Sequence, residues 1–307
     1  MPDKIKVLTI VGPTAVGKTE LAIEVAKTLD GEIITADSMQ IYQGLDIGTA
    51  KPTPQERDGI SHHLIDVVTP DQEFNVADYV RLAEQVIKEI SDRGKVPIIS
   101  GGTGLYIHAL IDGFLFPEQG ADPKIRRRLL LEAEEDNQAL YEKLKVVDPD
   151  AAAKLHVNDI RRIVRALEVY YSTGKPISQL QRKAQGKEAK YNAIMFGLTR
   201  DRSELYQRIN QRVDIMITDG LIEEVKKLLD KYPHQPTALQ ALGYKELAEY
   251  LNGECSLEEA IYVLKRDTRR YAKRQLSWFR RDKRIKWLDL SEIEKEKAIE
   301  IIINSYR

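Results

Sequence analysis

Cysteine is nearly absent from the sequence, with Cys255 as the single one among 307 residues. One cysteine excludes an internal disulfide and a zinc site built from several cysteines. No apolar run approaches the roughly 20 residues that a membrane-spanning helix needs. The first four residues lead into a strand-like segment without the pattern of a secretory signal. These absences predict a cytoplasmic protein without a membrane segment.

Net charge is also small, at −1, so the overall charge does not indicate a polyanionic partner. The distribution of charge is more informative, because Lys265 to Lys286 contain eleven basic residues and two acidic ones. A concentrated basic segment can bind a polyanion even in a neutral protein. The length suits two modules, or one core that carries an insertion.

Short apolar segments alternate with helical patterns in the first third of the chain. The strand-like segments are Ile5–Val11, Glu32–Ala36 and Val96–Ser100, which read as buried parallel strands. Apolar residues at helical spacing follow the first two strands, over 19–29 and from Asn75 onward, and Gly31 and Gly94 are the predicted helix ends. This alternation predicts a parallel sheet covered by helices.

The pattern changes near Pro117. Residues 117–190 contain no convincing strand and read as charged helices, broken at Pro149 and at 174–176. Strand-like segments return at Ala193–Leu198 and Ile285–Leu290, and the tail reads as a helix. We therefore predict an α/β core of residues 1–116 and 191–307, with an all-helical insertion domain at 117–190.

The segment between the first strand and the first helix matches G-x-x-x-x-G-K-[ST] at every fixed position. Its residues are Gly12, Pro13, Thr14, Ala15, Val16, Gly17, Lys18 and Thr19. The glycines let backbone N–H groups turn toward an anion, and the helix N-terminus adds partial positive charge. Lys18 adds a mobile charge, and the Thr19 hydroxyl can ligate Mg²⁺. The sequence thus predicts a phosphate site in a P-loop NTPase-like core.

Two polar residues follow the other early strands. Asp37 comes after the second strand and Thr103 after the third. Because ligands collect at the carboxyl ends of parallel strands, both are expected near Lys18. Asp37 could ligate Mg²⁺ or accept a proton from a nucleophile, and the simpler alternative is that it caps a turn. The simpler alternative for Thr103 is an ordinary turn residue.

The loop alone does not identify the phosphate compound. A GTPase would need a base-reading Asn-Lys-x-Asp, which the sequence lacks. An ATP-dependent small-molecule kinase has the same sheet and loop, and often an aspartate after the second strand. A non-catalytic nucleic-acid binder is disfavoured, because the loop is intact and Asp37 is present.

Several segments in chain order resemble the bacterial tRNA dimethylallyltransferases, also called tRNA isopentenyltransferases. They are GPTAVGKT at 12–19, ADSMQIY at 36–42, IGTAKP at 47–52, HHLIDVVTPDQEFNVADY at 62–79, GGTGLY at 101–106, ALGYKEL at 241–247 and KRQLSWFRRD at 273–282. The DSMQ and HHLID segments separate this family from ordinary P-loop kinases. The resemblance covers most of the chain.

The resemblance implies transfer of a dimethylallyl group from dimethylallyl diphosphate to the exocyclic N6 of the adenosine 3′ of the anticodon. The products are isopentenyladenosine in tRNA and pyrophosphate, and Mg²⁺ is expected as the cofactor. Asp37 would accept the amine proton, and Thr103 would orient the amine or the bridging oxygen. Arg212 is implied at the diphosphate, with Lys273 and Arg274 as weaker candidates. We expect a monomer, and the reaction needs no ATP at the loop.

The resemblance also implies that the insertion clasps the tRNA anticodon stem-loop. The implied tRNA-binding residues are Asp37, Ser38, Met39, Gln40, Thr103, Arg126, Arg161, Arg162, Ile163, Val164 and Arg165. If the segment is helical, Arg161 and Arg165 share a face. A solvated charged face is the alternative for these arginines, and a helix-surface ion pair with Asp214 or a nearby acid is the alternative for Arg212.

Overall fold

A computed structural model describes residues 4–113, 122–185, 189–233, 235 and 237–307. The chain divides into two compact units, of which the first comprises Met1–Ile107 and Tyr191–Arg307. The second unit comprises His108–Lys190. The predicted start of the insertion at residue 117 lies outside the described residues.

The described part of the first unit contains a six-stranded parallel sheet with the strand order β3-β2-β4-β1-β5-β6. The strands are β1 (Lys6–Val11), β2 (Gly31–Thr35), β3 (His62–His63), β4 (Val96–Gly101), β5 (Asn192–Thr199) and β6 (Lys286–Asp289). Residues of β1, β2 and β4 are buried almost throughout, because these central strands are covered on both faces.

The helices surround this sheet or form the second unit. They are α1 (Lys18–Leu29), α2 (Pro54–Arg57), α3 (Val76–Asp92), α4 (Gly104–Asp112), α5 (Pro123–Glu135), α6 (Asn137–Val147), α7 (Pro149–Ala152), α8 (Ile160–Thr173), α9 (Ile177–Gln185), α10 (Arg202–Thr218), α11 (Leu221–Lys231), α12 (Tyr244–Leu251), α13 (Leu257–Phe279) and α14 (Lys295–Tyr306). A short 3₁₀ turn spans Ala238–Gln240. None of the helices in the described ranges is long and apolar enough to cross a membrane.

The structure confirms the predicted strands to within one residue at most ends and corrects several local details. Asn75 begins α3 as predicted, in a capping box with Asp78. The end of α1 was predicted at Gly31, but Asp30 terminates it in the left-handed conformation and Gly31 begins β2. The two-residue strand β3 was missed, because two residues are too short to show a periodic pattern.

The spacing of Asp201 and Glu204 predicts a capping box at the start of α10, and the structure corrects this prediction in part. Asp201 caps the helix by accepting the N–H groups of Ser203 and Glu204, as predicted. The Glu204 carboxylate does not complete a capping box, because it accepts bonds from Arg200 and Ser291, both at 2.6 Å. Pairing with a guanidinium and a hydroxyl therefore replaces the predicted bond to the cap residue.

The described residues of the second unit contain α5 to α9 and no strand, as the charged helical pattern predicted. Its apolar core contains Leu129, Leu140, Leu144, Ile163 and Leu167. These residues repeat at helical spacing on α5, α6 and α8, so each helix buries one stripe and exposes its charged face. The unit therefore has its own hydrophobic core.

The strand register brings the loops of interest to one edge of the sheet. Val11 at the end of β1 is paired with Gly101 of β4 and with Gly197 of β5. Thr35 at the end of β2 is paired with Ser100 of β4. The phosphate loop and the segments after β2 and β4 therefore leave the same edge, where ligands of parallel α/β sheets bind.

Candidate active site

The phosphate loop follows β1 and leads into α1. Gly12 and Gly17 adopt φ angles of 151° and 106°, in the region that favours glycine. Gly17 precedes α1, and no described side chain makes a cap hydrogen bond at that end of the helix. The N–H groups of the first turn and the positive end of the helix dipole are therefore suited to an anion.

Cationic side chains hold three carbonyl oxygens of this loop. The contacts are Lys18 Nζ to the Pro13 carbonyl at 2.7 Å, Arg208 Nε to the Ala15 carbonyl at 3.0 Å and Arg200 Nε to the Val16 carbonyl at 3.0 Å. These bonds satisfy the negative ends of the loop dipoles, which would otherwise repel an anion. The loop therefore has electropositive surroundings. Val16 contributes only its backbone, because its side chain is fully buried in the core.

Arg212 of α10 approaches the same loop, with Nη1 3.4 Å from Thr14 Oγ1. Burial and the positive charge of Arg208 lower the pKa of the Arg212 guanidinium. The alternative of an ion pair with Asp214 is wrong, because Asp214 pairs with Lys265 at 2.5 Å. Among the described residues no carboxylate lies within ion-pair distance of Arg212, although Glu56 and Asp37 act on it from farther away. This half-buried charge is therefore a candidate for binding an anionic ligand.

The ammonium group of Lys18 is strongly perturbed by these surroundings. Burial and the positive charge of Arg212 lower its pKa to about 7, although the Asp37 carboxylate acts in the opposite direction. Both causes disfavour the charged form, and a bound anion would oppose them. A diphosphate in the loop would restore the protonated form by supplying the missing negative charge.

Asp37 lies at the first turn after β2, where it caps the turn and also lines the cavity that contains Lys18. Its Oδ1 accepts the N–H groups of Met39 at 2.9 Å and Gln40 at 3.4 Å, which is a turn-capping arrangement. Its Oδ2 accepts no hydrogen bond from the described residues, and the side chain lines the same cavity as Lys18. One oxygen therefore holds the turn while the other is available to a ligand.

Thr103 connects the segments after β2 and β4. Its Oγ1 accepts the Ser38 N–H at 3.0 Å and lies 3.4 Å from Ser38 Oγ, while its own N–H donates to the Ala36 carbonyl at 3.0 Å. Ser38 lines the cavity, and Thr103 is not among the lining residues. In this structure the Thr103 hydroxyl therefore acts on the cavity through Ser38 and through the hydroxyl of Tyr271, which also lines the cavity.

The cavity has a volume of about 370 Å³ and lies within the first unit. Its polar wall includes Thr14, Lys18, Thr19, Asp37, Ser38, Gln40 and Arg212, and its apolar wall includes Ala22, Ile33, Ile209, Val213, Met216 and Leu264. Met39 also lines it. A cationic loop, a carboxylate and an apolar wall therefore face one space, which suits a ligand with an anionic part and a hydrocarbon part.

Sequence reasoning missed two cavity residues, Tyr271 and Gln275, which lie one turn apart on α13. Burial and the nearby Asp37 raise the pKa of the Tyr271 hydroxyl, which stays neutral. Of the two weaker diphosphate candidates, Arg274 lines the cavity, whereas Lys273 is exposed and does not. The available signal was the i, i+4 spacing of Tyr271 and Gln275, which places them on one face of the helix.

His62 is another residue of the cavity wall. Its Nδ1 lies 2.9 Å from the Ile60 carbonyl, and its buried Nε2 has no hydrogen-bond partner among the described residues. Burial lowers the pKa of the ring, so it presents a neutral acceptor to the interior. His63 instead pairs with Glu32 at 2.7 Å, which is a structural role.

A half-buried carboxylate supports the wall segment of the cavity at residues 46–50. Glu224 of α11 accepts the N–H groups of Asp46, Ile47 and Gly48 at 2.9 to 3.2 Å and the Tyr244 hydroxyl at 2.5 Å. This contact joins the IGTAKP and ALGYKEL segments of the sequence. Glu224 therefore fixes the backbone that carries the cavity residues Gly48 to Ala50.

Gln40 holds the same segment from the DSMQ turn. Its Nε2 donates to the carbonyl oxygens of Thr49 at 3.0 Å and Ala50 at 3.3 Å. The Gln40 side chain is thereby engaged with protein, and its backbone is tied to Asp37. The turn at residues 37–40, which the resemblance places at the tRNA, and the segment at residues 46–50 therefore form one hydrogen-bonded wall of the cavity.

Replacing Glu224 with glutamine is expected to lower the free energy of unfolding by about 2–4 kcal/mol, because charge-assisted bonds to several N–H groups are lost. Denaturant unfolding measures the change. The matched control is Glu223→Gln on the exposed side of the same turn, which is expected to stay within about 0.5 kcal/mol of the parent. Equal stability of both variants would show that the Glu224 contacts contribute nothing.

The predicted arginines of the second unit fall into two groups. Arg126 and Arg165 both pair with the buried carboxylate of Glu168, at 2.9 Å and 2.8 Å. Arg161 and Arg162 are exposed on α8. The first two therefore compensate a buried charge of their own unit, and the second two are better placed to reach a polyanion.

The predicted tRNA contact of the segment that contains Ile163 and Val164 remains a prediction, but the structure buries the side chains of these two residues. Their side chains are 0% and 3% exposed and belong to the apolar core of the second unit. They belong to the buried stripe of α8, which continues at Ala166 and Leu167 one turn later, whereas Arg161 and Arg162 lie on the exposed face. Their side chains stabilise the helix and cannot touch RNA.

Comparisons with known proteins extend over almost the whole chain. A family profile described as IPP transferase matches residues 40–282. A tRNA dimethylallyltransferase from Carboxydothermus hydrogenoformans is 54% identical over 299 residues, which cover 97% of this chain and 96% of that protein. Another from Halothermothrix orenii is 54% identical over 292 residues, covering 94% of this chain and 89% of that protein.

Solved structures give the same result. The full-length tRNA isopentenylpyrophosphate transferase from Bacillus halodurans is similar with a TM-score of 0.75 and 47% identity, covering 98% of this chain and 95% of that chain. A eukaryotic dimethylallyltransferase described as acting on tRNA has a TM-score of 0.83 and 32% identity, covering 99% of this chain and 80% of that chain.

Proposed function

The chain belongs to the IPP transferase family, and on that premise we propose that it is the enzyme that prenylates a tRNA anticodon loop from dimethylallyl diphosphate. The acceptor is the exocyclic N6 of the adenosine on the 3′ side of the anticodon. The products are isopentenyladenosine and pyrophosphate. The cavity that combines a cationic phosphate loop, the Asp37 carboxylate and an apolar wall carries this proposal.

The donor fits the two chemical halves of that cavity. A diphosphate matches the loop N–H groups together with Lys18 and Arg212, which has no carboxylate partner among the described residues. A five-carbon allylic chain matches the wall of Ile33, Ile209 and Val213. The orientation follows, because the charged end and the hydrocarbon end each have one favourable place.

The reaction is a displacement at the allylic carbon. The bond between that carbon and the diphosphate oxygen breaks, a carbon–nitrogen bond to N6 forms, and N6 loses one proton. Departing pyrophosphate gains negative charge, which Lys18, Arg212 and the loop N–H groups stabilise more than they stabilise the ground state. The Oδ2 atom of Asp37 accepts the amine proton, while Oδ1 keeps the turn in place.

Mg²⁺ fits this site as a partner of the donor. The Thr19 hydroxyl is exposed at the start of α1 and lines the cavity, so it offers one ligand position. No group of three or more acidic, histidine or cysteine side chains in the described residues could hold a metal. Phosphate oxygens and water would therefore supply the remaining positions, as is usual for Mg²⁺. When bound, it would neutralise part of the diphosphate charge.

The ends of the strands beside the loop favour prenyl transfer over a kinase reaction. In P-loop NTPases the loop hydroxyl and a Walker-B aspartate hold Mg²⁺ together. Here β4 and β5, the neighbours of β1, end at Gly101 and Thr199. No carboxylate lies between β4 and α4, and Asp201 after β5 caps α10 and does not line the cavity. The carboxylate in the cavity is instead Asp37, which suits a proton acceptor.

A single assay separates the alternatives. Dimethylallyl diphosphate labelled in the prenyl carbons is expected to transfer label to tRNA, and a tRNA with another base at the target position is expected to stay unlabelled. ATP labelled in the γ-phosphate is tested beside it with small-molecule acceptors. Phosphate transfer without prenyl transfer would replace the proposal with the kinase alternative.

The tRNA is proposed to bind partly through the exposed arginines of α8. Replacing Arg161 and Arg162 with alanine is expected to weaken tRNA binding, because each neutralised phosphate releases counterions. The slope of log affinity against log salt concentration is expected to become shallower by an amount that corresponds to at most about two lost phosphate contacts. Cognate tRNA and tRNA with another target base are expected to lose affinity equally, since phosphate contacts carry no sequence information.

Binding of tRNA at several salt concentrations tests this expectation. The control is the double variant Lys143→Ala and Lys145→Ala, which removes two exposed charges from α6 of the same unit. Arg165 is left intact, because its loss would remove one of the two arginines that pair with the buried carboxylate of Glu168. Identical salt slopes for the parent and the α8 variant would leave Arg161 and Arg162 as a solvated face.

A further inference from the structure

Gln275 makes a bridge across the candidate active site that neither charge nor motif spacing indicated. Its side chain is buried on α13, with 6% of the residue exposed. Oε1 accepts the Thr14 N–H of the phosphate loop at 2.9 Å. Nε2 donates to the Gly102 carbonyl, which precedes Thr103, also at 2.9 Å. One amide therefore binds two segments that leave neighbouring strands.

The amide can occupy this position only in one orientation. The Thr14 N–H lies on one side of the side chain and the Gly102 carbonyl oxygen on the other. The group between them must therefore accept a hydrogen bond from Thr14 and donate one to Gly102. A primary amide does both, whereas a carboxylate can only accept. The chemistry of the two contacts thus selects glutamine at this length and excludes ionised glutamate.

The approach to Gly102 is very close. A Cβ atom built on Gly102 would lie 2.1 Å from Gln275 Nε2, a separation that atoms cannot adopt. The bridge therefore depends on a glycine at 102 as well as on the amide. This fit leaves little freedom for the helix to shift relative to the loop after β4.

The two bridged segments serve the two halves of the proposed reaction. Thr14 belongs to the loop that holds the leaving diphosphate, and Gly102 precedes Thr103, which fixes Ser38 beside Asp37. We propose that Gln275 is a positioning residue that sets the separation between the departing diphosphate and the proton acceptor. This inference rests on the proposed prenyl transfer and extends it.

The expected effect is large for a residue that touches no reacting atom. Reacting atoms must lie about 3–3.5 Å apart in line, and a misplacement of 1 Å can cost about 10²-fold in rate. Gln275→Met keeps the volume of the side chain and removes the hydrogen bonds to Thr14 and Gly102, together with a contact to the Tyr271 hydroxyl. Its single-turnover rate of prenyl transfer is expected to fall about 10- to 100-fold, while affinities for tRNA and pyrophosphate stay within a few-fold.

Gln275→Glu gives a readout that a purely structural role would not produce. Its ionised carboxylate would face the Gly102 carbonyl, but the protonated carboxyl group can donate to that oxygen and accept from Thr14. The ratio of variant to parent single-turnover rates is therefore expected to rise as pH falls from 8.5 to 6. The ratio for Gln275→Met is expected to stay flat, because its side chain does not titrate.

The experiment compares the parent, both variants and the control Ser277→Ala, an exposed residue of the same helix. Circular dichroism and hydrogen exchange of the Thr14 amide accompany the kinetics, and faster exchange in Gln275→Met supports the bridge. Parent-like single-turnover rates in Gln275→Met, or a flat pH ratio for Gln275→Glu, would overturn the positioning role. Absence of prenyl transfer by the parent would instead overturn the proposed function.

Discussion

Replacing Asp37 with asparagine is expected to lower the single-turnover rate of prenyl transfer by about 10²–10⁴-fold, the usual contribution of acid–base help. Asparagine keeps an oxygen that can accept the Met39 and Gln40 N–H groups, so the turn is expected to persist. It loses the basic Oδ2 that would take the amine proton. Affinity for tRNA is expected to change only a few-fold.

The comparison with Asp37→Ala separates the catalytic role from turn capping. If Asp37 only caps the turn, alanine impairs the enzyme and asparagine restores it, because the amide oxygen replaces Oδ1. If Asp37 is the proton acceptor, both variants are slow and their rates are similar. Rapid-mixing measurements with saturating donor and tRNA decide between these outcomes, and a near-normal asparagine variant would contradict the proposed mechanism.

Lys18→Met is expected to weaken pyrophosphate binding by roughly 10- to 150-fold, since a charge-assisted bond of about 1.5–3 kcal/mol is lost. The same variant is expected to be more stable than the parent when no ligand is present. Burial and Arg212 make the charged lysine unfavourable in the empty site, and methionine removes that cost. Thermal unfolding with and without pyrophosphate and Mg²⁺ measures both effects.

The pH dependence of this stability difference has a definite sign. The folded-state pKa of Lys18 is about 7, compared with 10.5 for the ordinary side chain. Between these values the unfolded chain binds more protons, so the contribution of Lys18 to stability becomes less unfavourable as pH rises from 7 to 10.5. The advantage of Lys18→Met is therefore expected to be largest below pH 7 and to shrink at higher pH.

Proton uptake gives an independent measurement on the same residue. At pH 8 the empty site holds mostly neutral Lys18, and a bound diphosphate favours the charged form. Calorimetry in buffers of different ionisation enthalpy is therefore expected to show greater proton uptake for the parent than for Lys18→Met. Equal proton uptake by both proteins would show that a group other than Lys18 titrates on binding. Equal pyrophosphate affinity would show that the loop does not bind the donor.

Local patterns in the sequence were sufficient for the sheet and the loop. Buried parallel strands are continuous apolar runs, so β1, β2, β4 and β5 could be located to within a residue at most ends. The phosphate loop was predicted because its conformation depends on glycines at fixed spacing. Asp37 and Thr103 were predicted near Lys18 because carboxyl ends of parallel strands share an edge, and the register confirms that their segments leave it together.

Other features depend on contacts between distant segments. The short strand β3 pairs only with β2 among the described residues, and the role of the half-buried Glu224 depends on three N–H groups that are far away in sequence. Ile163 and Val164 were predicted at the RNA, yet their place on the buried stripe of α8 depends on how α5, α6 and α8 pack. The positions of neighbouring helices decided these outcomes.

The sequence by itself determined the strand–loop–helix unit, its phosphate-binding chemistry and the family. These depend on residue type and spacing over a few turns of chain. Only the tertiary structure decided that Arg212 lacks a carboxylate partner among the described residues, that Lys18 has a lowered pKa and that Gln275 joins Thr14 to Gly102. Each of these is a property of separation and burial, because electrostatic and hydrogen-bond energies depend on which distant groups the fold brings within a few ångströms.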